Sequence, residues 1–405
     1  MSFSLIGKSI AVSATLKLNE TAAILKAKGE PIIHLGGGEP KSKTPIDAIV
    51  SAVSNLNSGE IRYTPADGTP EMKQAIIRYT EEFYNRVVSY QNVIASQGAK
   101  QAIMVALQAI LDPQDEVIFP APYWVSYTEM CKLCGAIPVP VYPMDGTFYP
   151  TLKDIELFVT PRTKCIIINS PNNPTGAMYS EDFIGEIVEF CEKKGFWLIM
   201  DDIYHRLIFD GKKPISAWKF VKDHSDNNKM IIVNGVSKQY AMTGFRIGWA
   251  VGNKKLIEIM TNIQAHQTSG PSVVLQKAAV GAINGIQSSV EALRLTLENN
   301  RNVMLQQLAT FDGVRCSKPD GTFYCFADFR AYTKDSTKTA NLLLEKVRVA
   351  VMPGIEFGME GFFRLSTCGT VKDITEGLER IKFALDPNSP NEIYIGQRKI
   401  VRDWL

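Results

Sequence analysis

Lys164-Cys165-Ile166-Ile167-Ile168-Asn169-Ser170 and Phe196-Trp197-Leu198-Ile199-Met200-Asp201-Asp202 decide the fold. Neither run alternates apolar with polar residues, so each reads as a strand buried on both faces, the pattern of a parallel sheet covered by helices. Outward from these runs, strand-like and helical segments alternate. Val93–Ser96 leads to Ala99–Leu111, Glu116–Phe119 to Tyr123–Cys134, and Lys164–Ile168 to Ser180–Lys194, before Phe196–Met200 and Met230–Val233. That order predicts an α/β fold with a large domain on a mostly parallel, doubly wound sheet. A helical pattern over Gly285–Phe311 then precedes strands at Thr322–Phe326, Ala350–Met352 and Phe362–Leu365 and helices at Thr337–Val347 and Val371–Leu385. These predict a smaller α+β domain, joined by the N-terminal stretch up to Pro40, with the long helix as connector. The expected division is 46–285 for the large domain and 1–45 with 286–405 for the small one. No element is assigned to the tail Pro387–Leu405.

Composition narrows the function. The 405 residues suffice for two or three domains. Lys+Arg 44 against Asp+Glu 42 leaves a net charge of +2, too little to draw the chain to nucleic acid or an anionic membrane. A mean hydropathy of -0.04, with no apolar run near ~18 residues, argues against a membrane-spanning helix. Met1 to Ala14 carry one Lys and no long apolar core, which argues against a secretory leader. The cysteines (131, 134, 165, 191, 316, 325 and 368) are odd in number and scattered, which fits a reducing compartment rather than a disulfide framework. A cytoplasmic enzyme is expected. Cys131-x-x-Cys134 falls on an expected helix, where such spacing merely shares a face. None of His34, His205, His224 and His266 sits at ligand spacing, so no metal site is expected.

In parallel α/β sheets, ligands bind beyond the carboxyl ends of the strands. Four successive strand ends here are polar. Gln97-Gly98-Ala99-Lys100 opens a helix whose small residues let backbone amides approach a phosphate; alone, it is also a common turn. Asn169-Ser170-Pro171-Asn172-Asn173-Pro174-Thr175-Gly176 uses two prolines to hold Asn173 rigidly. Asp201-Asp202-Ile203-Tyr204 ends a buried strand with a carboxylate, either a turn cap or a charge aimed at a cationic ligand. Asn234-Gly235-Val236-Ser237-Lys238 delivers an amine, with Arg246 soon after. Anion loop, amide, carboxylate and amine together point to one ligand.

This set resembles the class I aminotransferases of pyridoxal-phosphate fold type I, from about Ile33 to Leu378. The motifs are S-P-N-N-P-T-G at 170–176, D-D-I-Y at 201–204, S-K-Q-Y-A-M-T-G-F-R-I-G-W at 237–249 and F-R-L-S at 363–366. P-Y-W-V-S-Y at 122–127, Y-T-P-A-D-G at 63–68 and G-G-E-P at 37–40 are similar to the prokaryotic aspartate aminotransferase branch in particular.

The resemblance implies pyridoxal 5′-phosphate as cofactor and a role for each residue. Lys238 matches the Schiff-base lysine, which also shuttles a proton between the substrate Cα and the cofactor's C4′. Asp201 matches the carboxylate that keeps the ring nitrogen protonated; Asp202 receives no chemistry. Asn173 and Tyr204 match the donors to O3′. Arg246, Ser237 and the Gly98-Ala99-Lys100 turn match the phosphate site, and Trp124 the residue stacked on the ring. Arg364 matches the bidentate ligand of the substrate α-carboxylate, and Gly38 lets the backbone approach the same group. With carboxylate ligands on the small domain, substrate binding is expected to draw the domains together and expel water. Tyr63 matches a tyrosine that reaches the phosphate of a neighbouring subunit, which implies a homodimer with shared sites. Ser13, Thr15 and Lys100 are candidates for a distal carboxylate.

Two departures bear on specificity. No Arg occurs between Arg246 and Arg294, so the partner-chain Arg of the animal-type enzymes has no counterpart; Gln264, His266, Gln267 and Thr268 occupy that region. Gly36-Gly37-Gly38 is also richer in glycine than the branch requires. The expected reaction moves an amino group between an L-amino acid and a 2-oxo acid, with aspartate and 2-oxoglutarate as the favoured pair. An aromatic or broad-range aminotransferase, or a lyase of the same fold, stands as the alternative. A pyridoxal-dependent regulator would need a DNA-binding domain, and the segment before Ile33 is too short for one.

Overall fold

The two apolar runs lie side by side in the computed structural model, which describes residues 3–12, 14–223 and 225–404. Thr163–Asn169 (β5) pairs in parallel with Trp197–Asp201 (β6), Ile166 opposite Leu198 and Asn169 opposite Asp201. The other strands of this seven-stranded sheet are Val93–Ser96 (β2), Glu116–Pro120 (β3), Ile137–Val141 (β4), Met230–Gly235 (β7) and Gly248–Val251 (β8). Their spatial order is β2-β8-β7-β6-β5-β3-β4. Only β8 runs against its neighbours, β7 and β2. β4 and β8 were not expected. β4 reads Ile-Pro-Val-Pro-Val, and prolines are tolerated there because it is an edge strand. β8 has four residues, too few for a pattern.

Burial explains the missing alternation. Ile166, Ile168, Leu198 and Met200 face a core closed by helices Pro70–Tyr84, Glu181–Lys194 and Val273–Asn284. Cys165, Ile167 and Ile199 face the opposite core, under helices Ala99–Ile110, Ser126–Leu133 and Lys254–Gln267. Successive side chains of a strand point to opposite faces, and here both faces are dry. Ile167→Ala should therefore cost about 2–5 kcal/mol, read as a lowered urea midpoint at unchanged slope; a loss inside about 0.5 kcal/mol would contradict this packing.

The small domain has its own core. Arg315–Cys316 (β9), Tyr324–Asp328 (β10), Met352–Pro353 (β12) and Phe362–Ser366 (β13) form an antiparallel sheet in the order β12-β13-β10-β9. The stretch expected as one strand at Ala350–Met352 is split. Val349–Ala350 (β11) pairs in parallel with Ile33–His34 (β1), while β12 pairs with β13. Through β1, Ile33 and Leu35 enter the same core as Leu343, Phe363, Leu365 and Ile381. The long helix spans Ser288–Leu308.

The tail forms a hairpin, Glu392–Ile395 (β14) with Arg398–Val401 (β15). Ile393, Ile400 and Trp404 pack on the small-domain core. The Trp404 indole donates to the Ala384 carbonyl at 3.2 Å, and the Arg402 guanidinium to that of Phe383 at 3.0 Å.

All the cysteines are free thiols. Burial pushes Cys131 up to about 12 and Cys134 up to about 11. Among the described residues no His, Cys, Asp and Glu gather in a group able to hold a metal ion, and no helix is long and apolar enough to cross a membrane.

Candidate active site

β5, β6 and β7 end at one edge of the sheet, and β8 begins there with Gly248 opposite Gly235 of β7 and Ser96 of β2. A cavity of about 500 Å³ opens at this edge and reaches across to Tyr324 and Arg364 of the small domain. Of the residues singled out in the sequence, Gly38, Ala99, Lys100, Trp124, Asn173, Asp201, Tyr204, Ser237, Lys238, Arg246 and Arg364 line it.

The Lys238 amine donates to the Gly38 carbonyl at 2.7 Å. Its removal from bulk water, aided by the guanidinium groups of Arg364 and Arg246, lowers it to about 8. Asp201 is buried. Its Oδ2 accepts from the Tyr127 hydroxyl at 2.6 Å, and Oδ1 from the Ile203 amide at 3.4 Å. Burial raises this carboxyl to about 6 despite those donors and the Lys238 charge. A carboxylate held dry at a cavity wall is stabilised by a cation placed against it.

Arg246 has φ 53 and donates from one guanidinium nitrogen to the Thr243 carbonyl at 2.9 Å. The other packs on Gly98, where a Cβ would stand 2.6 Å from it. Gly98 (φ +86) opens the helix Ala99–Ile110 without a side-chain cap, so the first amides of that helix are left for a ligand. Gly248 closes the same corner, since a Cβ there would lie 2.2 Å from the Ala99 amide. A guanidinium beside an uncapped helix start suits a phosphate.

On the far side, Arg364 sits on β13, 2% exposed. It donates to Asn173 Oδ1 and to the Gly36 carbonyl, both at 3.1 Å, and lies over the Tyr324 ring at 4.1 Å. Its Nε has no partner among the described residues. Asn173 is fixed in turn, its amide donating to Asn169 Oδ1 at 2.8 Å. Tyr204 is buried against Phe323 and Tyr324. Trp124 stands edge-on to Tyr127 at 5.4 Å, with the Lys100 amine 5.1 Å from its ring centroid. Loss of solvent, and then Arg246, lower the Lys100 amine.

Tyr63 is not brought into this cavity; it is 96% exposed. Ser13 lies outside the described residues, as does the side chain of Thr15. Sequence reasoning missed Tyr127 as a donor to Asp201, although it ends the quoted P-Y-W-V-S-Y and lies three residues after Trp124. It also missed Leu16 and Asn19, which the helix Ala14–Ala27 carries to the cavity wall with no local signal.

These residues fit pyridoxal 5′-phosphate. The dry carboxylate of Asp201 suits a protonated ring nitrogen, the Gly98–Arg246 corner suits a phosphate, and Lys238 brings an amine of lowered basicity to the same cavity.

The profile of the aminotransferase class I and II family matches residues 30–381. The aspartate aminotransferase of Streptomyces avermitilis is 40% identical over 92% of this chain and 94% of that protein. That of Bacillus subtilis is 37% identical over 93% of this chain and 97% of its own. The solved structure of the Thermus thermophilus aspartate aminotransferase with maleate superposes with a TM-score of 0.89 at 33% identity, covering 94% of this chain and 98% of that one. The chain belongs to the class I and II aminotransferases, enzymes that move amino groups between amino acids and 2-oxo acids with the help of pyridoxal 5′-phosphate.

Proposed function

We propose that the protein exchanges the amino group of aspartate with 2-oxoglutarate, using Lys238 as its amine, in the cytoplasm and as a homodimer. The observation that carries the site assignment is the convergence of Lys238, Asp201 and Arg364 on one cavity. When bound, pyridoxal 5′-phosphate supplies an electron sink for the pair released at the substrate Cα. Asp201 would hold the proton on the ring nitrogen, Asn173 and Tyr204 would donate toward O3′, and Trp124 would cover the ring. Arg246, Ser237 and the amides of Ala99 and Lys100, freed by Gly98, hold the phosphate. An amine lowered to about 8 keeps a neutral fraction near pH 7, enough for Lys238 to take up the proton from the substrate Cα and carry it as a general base and acid. Arg364 clamps the substrate α-carboxylate beside Gly38, with Asn173 limiting its swing.

The dicarboxylate reading is supported by the relatives' names, by maleate in the Thermus enzyme, and by the Lys100 amine at the cavity wall. Lys100→Met should raise KM for aspartate about 10-fold, the size of one charged hydrogen bond, and leave alanine unchanged. Equal loss on both donors would remove Lys100 from specificity. Incubation with aspartate and 2-oxoglutarate tests the reaction: oxaloacetate and glutamate in equal amounts are expected, and ammonia release would identify a lyase.

The dimer is supported by an apolar stripe on helix Ile46–Ser58, where Ile46, Ile49, Val50 and Val53 are exposed while Ala48 packs inward. It is supported as well by Tyr63, which projects into solvent close by in sequence. We divide the chain at 46–285 against 1–45 with 286–405, supported by the separate cores. The free, scattered cysteines support a reducing compartment.

A further inference from the structure

Against helix Pro70–Tyr84, next to the ends of β6 and β7, lies a buried polar cluster that the reaction above does not use. His205 follows β6 by four residues and is clamped between rings: Tyr84 stacks on it at 5.3 Å and 26°, and Tyr79 and Phe83 meet it edge-on at 5.6 and 5.9 Å. Its Nε2 lies 2.9 Å from the Tyr79 hydroxyl, and its Nδ1 lies 2.9 Å from Asn234 Nδ2. Tyr79 donates onward to Gln239 Oε1 at 3.0 Å, and Gln239 Nε2 donates to the Gly235 carbonyl at 3.2 Å. Asn234 also donates to the Tyr84 hydroxyl at 2.9 Å, while its Oδ1 accepts from the Gly235 amide at 2.7 Å.

Nδ1 also lies 3.1 Å from the Asp202 carbonyl, so the ring touches the end of β6 as well as Asn234 of β7. Tyr79 carries one hydrogen between His205 Nε2 and Gln239 Oε1, and whichever ring nitrogen holds the proton, the ring joins the same groups. The ring is neutral. Burial, with Arg206 beside it, pushes His205 down to about 3, so it stays neutral at any working pH. A polar network with every member satisfied fixes its surroundings in one arrangement.

We propose that His205 is a positioning residue for Lys238: its two nitrogens join Asn234 at the end of β7 to Tyr79, and through Tyr79 to Gln239, locking the turn that presents the amine against the β6 end that presents Asp201. The anchor points are the neighbours of the reacting groups. Asp202 follows Asp201 and accepts from the His205 backbone amide at 3.0 Å, and Gln239 follows Lys238. Without the ring nitrogens, the 235–239 turn keeps its backbone but loses the bonds that hold it to β6. The amine then swings relative to Asp201.

This rests on the reading of Lys238 given above, and the experiment separates the two. His205→Phe keeps the ring packing and removes both nitrogens; Tyr79→Phe removes one oxygen and breaks the same chain at a milder point. In both holoenzymes kcat should fall about 10- to 100-fold with KM within about threefold, the signature of misplaced reacting groups. The pH midpoint of the bound cofactor's absorbance should move by about 0.5 units or more, because it reports the surroundings of the lysine nitrogen. His205→Gln, which retains a donor and an acceptor, should recover part of both. If only the melting temperature falls while kcat and midpoint match wild type in Tyr79→Phe, or if His205→Gln is no better than His205→Phe, the positioning role is wrong. Borohydride reduction of wild-type holoenzyme and peptide mapping decide the underlying reading: label at a residue other than Lys238 removes that reading itself.

Discussion

Lys238→Ala leaves a folded protein that no longer turns over amino acids. Two losses combine. On the function proposed above, the reacting centre loses the amine that takes a proton from Cα, and positioned acid–base groups of this kind contribute about 10²–10⁴ in rate. The protein also loses its covalent hold on the cofactor, so reduction with borohydride no longer fixes vitamin B6 to the chain. We expect kcat at least about 10⁴ below wild type, with the urea midpoint close to wild type, since among the described residues the side chain donates to the Gly38 carbonyl alone. Turnover within about tenfold of wild type would mean that another amine does the work. The measurement is a single-turnover absorbance trace, which also shows whether the substrate still binds.

Arg364→Ala should weaken every amino donor alike. The guanidinium is nearly dry and sits over Tyr324 and Phe357, at 4.1 and 4.8 Å from their centroids. Its planar fork suits a carboxylate. Truncating one side of such a buried pair costs about 2–5 kcal/mol, so kcat/KM should fall about 30- to 4,000-fold for aspartate, alanine and aromatic donors together. Arg364→Lys keeps the charge without the fork and should recover a minor part. A loss confined to acidic donors would move Arg364 to the distal carboxylate and leave the α-carboxylate to another group. Steady-state kinetics on three donors settles it.

Much of this site could be read from the chain because its information is local. A run such as Cys165–Ile168 declares its burial on both faces, and the residue that ends it sits at the ligand edge by topology alone. Asp201, Asn173, Lys238 and Arg246 were found that way, and Arg364 by resemblance. What escaped depends on contacts between distant segments. Tyr127 looked like one more helix residue until its hydroxyl met Asp201. Asn19 belongs to a helix that precedes the large domain in sequence and reaches its cavity by packing Leu18 and Ala22 on the distant Met352, Leu344 and Ala350. The C-terminal hairpin has short strands whose apolar residues find a surface only after the small-domain core exists. The network around His205 joins residues 79, 84, 205, 234 and 239, a set that no spacing rule groups.

The corner where Gly98, Arg246 and Gly248 crowd together has a consequence for how this scaffold diversifies. No side chain fits at either glycine without displacing a guanidinium or a helix start, so the corner proposed to grip the vitamin is closed to gradual change. Another part of the lining is furnished by side chains of a separate helix, among them Leu16 and Asn19. New amino-donor preferences can therefore arise there, one substitution at a time, while the inherited chemistry is left intact.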